Sequence, residues 1–304
     1  MILNSRSSPI SSPSERGFML FSFGNSGFAL FYRPISAGFF FKKREIYCFT
    51  SRASTKLCNL RFLNAIIRDS WDSGSIWSIM GGYFFCLHIP LSFGGLPVIC
   101  QILNQPVLDP QTVLAETASL LLLQTLEVTG ALALLHYSAK KRYSISSFFQ
   151  DQHLSEGRSW VKAAGLGLGF LMLVVLLTSL LADRLIGSKD VSNPELREIL
   201  LSFPLSRVAF FLIYCFITPV LEEAVYRGFL LTSLASAMKW QRAVVISALV
   251  FSSAHFSPEN FLQLFLIGCV LGSAYCWSGN LTASFAIHSL YNAIVLLVTF
   301  SPEN

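Results

Sequence analysis

The sequence predicts an all-α, polytopic membrane protein, and three observations predict it. Of 304 residues, 53% are hydrophobic and only 13% are charged, against about 25% charged in an ordinary soluble domain; mean hydropathy is +0.57. The apolar residues gather into runs long enough to cross a bilayer as helices. The basic clusters between runs, Lys140-Lys141-Arg142 and Lys239 with Arg242, are separated by two expected crossings, so both fall on one side, as the positive-inside bias requires. The net charge of +5 lies mostly at the N-terminus. No later basic stripe is interleaved with aromatics, so nucleic-acid binding is not expected. The seven cysteines are scattered, with no C-x-x-C. They fit neither a disulfide framework nor a zinc ribbon, and most sit in apolar runs as small hydrophobes.

Taken in order, residues 1–55 are rich in Ser, Arg and Phe. Arg6, Arg16, Arg33, Lys42, Lys43, Arg44 and Arg52 stand against Glu15 and Glu45. Basic, Ser-rich and acid-poor is the pattern of an organellar transit peptide, and the serine content favours a plastid over another organelle. The plainer alternative is a disordered basic tail. Residues 56–75 read as a lead-in.

The region 76–201 reads as the N-terminal membrane helices. The span 76–103 is weakened by Pro90 and Pro97. The span 117–137 holds one carboxylate, Glu127, read as a helix-packing hydrogen bonder with cavity lining as the alternative. The span 160–181 carries Gly165, Gly167 and Gly169. No strand precedes them and no acidic partner follows at the right distance, so a dinucleotide fingerprint fails. Gly165 and Gly169 read instead as a small-xxx-small packing pair. Residues 183–198 read as a loop leading into a short amphipathic helix.

The region 202–300 reads as the functional core. Pro204 opens a span that runs into Leu221-Glu222-Glu223-Ala224-Val225-Tyr226-Arg227. Residues 232–242 read as a connector and 243–256 as a helix too short to cross. Ser257-Pro258-Glu259 reads as a helix start with Ser as cap. The spans 260–277 and 281–300 follow. Ser-Pro-Glu-Asn recurs at 301–304 by chance.

The Glu-Glu stretch is what the chain is organised around. An ionisable group at membrane depth costs about 2.5–3.5 kcal/mol on insertion scales, so it is retained for function or neutralised by a partner. Glu223 and Arg227 stand four apart on one helical face and can pair. Glu222 is turned about 100° away and is left to face elsewhere. Downstream, His255 and His288 each lie in an apolar helix, and Asn292 shares a face with His288. Phe251 stands four before His255. His88, His136 and His153 sit at span edges or in connectors and attract no reading. A carboxylate and an imidazole brought together can take a proton from water. A second imidazole and an amide can stabilise an oxyanion. Two other chemistries stay open. Glu222, His255 and His288 can make a three-ligand zinc set with an open position, although no H-E-x-x-H is present. Ser252, Ser253 and Ser289 lie near the histidines, but no G-x-S-x-G elbow marks a nucleophile.

Glu-Glu-x-x-x-Arg at 222–227, Phe-x-x-x-His at 251–255 and His-x-x-x-Asn at 288–292 occur in this order in apolar helices. Over residues 202–300 the chain resembles the CPBP family of intramembrane metalloprotease-like proteins, the type II CAAX prenyl endopeptidase and bacteriocin-processing group. The resemblance implies a bundle of about seven to eight helices around an intramembrane cavity. It implies peptide-bond hydrolysis without a covalent intermediate. Glu222 is then the general base, with His255 positioning the water; His288 and Asn292 form the oxyanion hole, and Glu223 and Arg227 support the site. No cofactor is expected, with a divalent metal such as zinc left open. The expected partners are a membrane-associated protein or peptide substrate and the lipid bilayer. The expected place is a chloroplast membrane, thylakoid or envelope, with another organellar membrane as the alternative.

A non-catalytic scaffold using the same bundle is the competing reading. A transporter using buried charges as a relay fits less well, because residues before 193 hold no counterpart of Glu-Glu-x-x-x-Arg and symmetry-related halves are expected there.

Overall fold

The computed structural model describes residues 74–102, 113–139, 159–186 and 204–300. The basic leader 1–55, the lead-in up to residue 73, the cluster 140–142 and the tail 301–304 lie outside the described residues. So do residues 143–158 and residues 187–198 of the expected loop. Among the described residues the chain is all-helical, with seven helices: α1 Ile76–Ile102, α2 Val113–Ser138, α3 Trp160–Ile186, α4 Pro204–Ala237, α5 Trp240–Ala254, α6 Phe261–Ser278 and α7 Leu281–Phe300. All but α5 are long and apolar enough to cross a membrane. The protein is a multi-pass membrane protein.

Helix α4 is the centre. Half of its most apolar window is buried, against about a tenth for α1 and α3. Helix α3 is peripheral and turns Leu166, Phe170, Leu173 and Leu177 outward. In water such a face is an aggregation liability; in lipid it is the expected surface. One core cluster joins α1, α2, α4 and α5 through residues such as Tyr83, Leu135, Phe229, Leu230 and Phe251. A second joins α3, α6 and α7 through Leu171, Leu271 and Ile287.

Prolines shape the two helices that matter most for the site. Pro219 has no N–H to return to Cys215. The helix answers by widening just before it: across Ile213–Ile217 the turn is π-helical, and the Thr218 N–H reaches back five residues to the Ile213 carbonyl. A second wide turn spans Glu223–Leu231. Such widenings gather at functional sites. Helix α1 is wide-turned over Phe84–Gly94, around Pro90.

Chain reversals follow from local chemistry. Met238 and Lys239 are extended and separate α4 from α5, so the expected connector 232–242 shrinks to these two residues; Thr232–Ala237 stays helical. Gly279, at φ +70°, ends α6 and returns its N–H to the Tyr275 carbonyl at 2.8 Å, the left-handed terminus that glycine adopts without strain. Asn280 then caps α7, its Oδ1 accepting the Thr282 N–H at 2.8 Å. Ser257 precedes a single 3₁₀ turn, Pro258–Asn260, and makes no side-chain cap. Its hydroxyl donates instead to Glu259, at 3.0 Å. The expected glycine pair is also corrected. A Cβ on Gly165 or Gly169 would meet nothing within 4 Å among the described residues, whereas one on Gly167 would collide with Ile287 and approach Ala274. Gly167 is the residue that lets α3 seat against α6 and α7.

Candidate active site

Helix α4 carries Glu222, and the wide turn that follows it carries Glu223 and Arg227, into the bundle, where the three residues are at most 8% exposed. The pairing expected from sequence is present: Arg227 Nη1 donates to Glu223 Oε1 at 3.0 Å. The guanidinium also lies over the Phe251 ring, 4.4 Å from its centroid, a contact worth about 2 kcal/mol when desolvated. The carbonyl of Phe251 receives His255 Nδ1–H at 2.8 Å, and the two rings meet edge to face at 4.7 Å. Phe251 therefore binds the Arg227 and His255 motifs together, a role its spacing alone does not reveal.

Helix α7 supplies His288. Its Nδ1–H donates to Glu223 Oε1 at 2.9 Å. The partners at both Nδ1 atoms are acceptors only, a backbone carbonyl for His255 and a carboxylate for His288. This places a proton on each Nδ1 and leaves each Nε2 as the active edge. Both Nε2 edges face the same group. His255 Nε2 stands 3.7 Å from Glu222 Oε1 and His288 Nε2 stands 3.6 Å from Glu222 Oε2. These separations exceed a direct hydrogen bond and leave each Nε2 and the carboxylate within reach of a water lying beside them. Glu222 is thus flanked by two tethered imidazoles, and His255, with its side chain 30% exposed, is the open side.

Asn292 is one turn beyond His288 on α7. Its Nδ2 donates to the Tyr214 carbonyl at 2.8 Å, which ties α7 to the widened turn of α4 and leaves the second N–H of the amide uncommitted to that bond. Among the described residues no group of three or more His, Cys, Asp and Glu side chains is arranged to hold a metal ion.

Sequence reasoning left one polar assembly aside. Glu127 on α2 is fully buried. It accepts from His88 Nδ1–H at 2.7 Å, from the Tyr83 hydroxyl at 3.0 Å and from Ser92. Glu127 is a helix-packing hydrogen bonder, as expected, but its main partner is His88. The prolines and glycines around His88 hid the helix it stands on.

Residues 204–294 match the model of the type II CAAX prenyl endopeptidase Rce1-like family. The matched residues include Glu222, Glu223, Arg227, His255, His288 and Asn292. This segment is similar to the CAAX protease family. The chain is also similar to a protein described as the membrane-embedded CAAX protease MroQ of Staphylococcus aureus (strain USA300), at 28% identity over 145 residues. That match covers 45% of this chain and 58% of the relative, so the chain spans little more than half the length of the relative. No solved structure matches the chain.

Proposed function

We propose that this chain is an intramembrane endopeptidase that hydrolyses a peptide bond of a membrane-associated protein, with water activated by Glu222 and His255. The observation that supports it is the Glu222 carboxylate flanked by two Nε2 edges at 3.6 and 3.7 Å, each ring tethered through its Nδ1. Water held between Glu222 and His255 gives a proton to Glu222 while its oxygen attacks the scissile carbonyl carbon. The carbonyl oxygen becomes an oxyanion. His288, carrying a second proton on Nε2 beside the Nδ1–H held by Glu223, donates to it together with the second N–H of Asn292. The C–N bond then breaks, and the proton held by Glu222 passes to the departing amine. One water is consumed and a carboxylic acid and an amine are released, with no covalent intermediate.

Glu223 and Arg227 act by holding His288 and Phe251. The site is donated by α4, α5 and α7, all within the bundle, so the substrate reaches it from the membrane. The basic, Ser-rich leader supports a plastid membrane as the place of action.

The test is a comparison of membrane-protein N- and C-termini in plastids carrying the wild-type chain or Glu222→Gln. A defined set of termini is expected to vanish in the variant while the variant accumulates normally in the membrane. Full complementation of a null line by Glu222→Gln, with no change in termini, would leave the scaffold reading in its place.

A further inference from the structure

Resting on the protease reading, we propose that His88, locked by Glu127, is a positioning residue for His255 and that α1 and α2 form a clamp on the end of α5. Neither residue lies in the matched segment 204–294. The first observation is a chain of contacts. His88 Nδ1 is held by Glu127 at 2.7 Å, and His88 Nε2 stands 3.3 Å from the carbonyl of Ala254, the residue just before His255. With an acceptor at each ring nitrogen, the ring is satisfied only by a proton on each. It then bridges a carboxylate and one of the carbonyls that a helix end leaves unpaired.

The second observation is the backbone of the following residue. Phe256 has φ +48°, a left-handed conformation that a bulky residue rarely adopts. Such conformations persist only where the surroundings over-determine them. Here the surroundings are α1: the Phe256 ring meets Phe93 edge to face at 5.1 Å and Phe84 at 6.0 Å. His88 itself packs against Phe84 and Phe93. The residues on both sides of His255 are therefore gripped by one helix.

The third observation links the same cluster to Glu222. Ser92, a donor to Glu127, accepts from Gln124 Nε2 at 3.0 Å. Gln124 Oε1 accepts from the Thr218 hydroxyl at 3.4 Å, one turn before Glu222. One buried network thus touches the helices of both water-activating groups, next to each of them. Its effect is to set the 3.7 Å separation of His255 Nε2 and Glu222.

The experiment uses the full chain purified in detergent. Removing His88 alone strands the Glu127 carboxylate, so the main variant is the double replacement His88→Leu with Glu127→Leu. Exchanging a buried pair for apolar residues usually preserves folding. Two readouts are taken. The first is hydrolysis of a farnesylated C-a-a-X reporter peptide with a donor and quencher across the scissile bond. The second is the rate of diethylpyrocarbonate modification of His255, measured by mass spectrometry against the exposed His136. The double variant is expected to keep its melting temperature and KM, to lose about 10²-fold in kcat, and to show His255 modified several-fold faster. His88→Gln carries a donor at about the place of Nε2 and is expected to recover most of both. Unchanged kcat and unchanged His255 reactivity in the double variant overturn the proposal. So does a loss of kcat that follows only a loss of folded protein. If the wild type does not cleave the reporter, the comparison of termini tests the protease reading, and His255 reactivity alone decides the clamp.

Discussion

His288 and Glu223 share a hydrogen bond of 2.9 Å, so the carboxylate that Arg227 neutralises is also the one that orients the second imidazole. Glu223 therefore joins stability to geometry. Arg227→Leu leaves it buried without its guanidinium partner and is expected to cost about 3–5 kcal/mol, read as a fall in the thermal midpoint in detergent. The double replacement Glu223→Leu with Arg227→Leu is expected to recover most of that stability but to abolish proteolysis, because His288 then loses its tether.

Asn292 separates the two roles differently. Asn292→Leu removes the bond to the Tyr214 carbonyl and the donor proposed for the oxyanion. Loss of one oxyanion donor is worth about 10²–10³ in kcat. Steady-state kinetics on the reporter peptide are expected to show that loss with KM little changed.

At Gly167, replacement by Leu drives a side chain into Ile287 and Ala274, and overpacking of this kind costs about 1–3 kcal/mol. Gly165→Ala and Gly169→Ala fill open space on the outer face of α3 and are expected to be neutral or to raise the melting temperature slightly, since alanine is the better helix former. Differential scanning fluorimetry of the three variants side by side makes the check.

For the leader, the full chain with a C-terminal tag is expected in plastid membranes, resistant to alkaline extraction. N-terminal sequencing of the recovered protein is expected to find a start near residue 55. Removal of residues 1–55 is expected to abolish delivery while leaving membrane insertion intact.

Much of the site was legible because its residues are expensive where they stand. Glu222, Glu223 and Arg227 declare themselves in an apolar run, and the four-residue spacings of Glu223 with Arg227 and His288 with Asn292 fix shared faces. What stayed hidden was tertiary. Phe251 looks like any core aromatic until Arg227 is seen above its ring. His88 stands in a segment rich in proline and glycine, which reads as a poor helix, and its partner Glu127 is 39 residues away in sequence. The glycine triplet was misjudged for a related reason: spacing marks Gly165 and Gly169 as a pair, but which face of α3 meets α6 and α7 depends on partners far along the chain.

Helix α5 has fifteen residues and so is about 22 Å long, while the hydrocarbon layer is about 30 Å thick. Counted from its basic start at the interface, its far tip stops well inside the oily layer. A thicker bilayer would leave that tip, which carries His255, deeper still. The thickness of the host membrane is thereby expected to set how far His255 lies from bulk solvent.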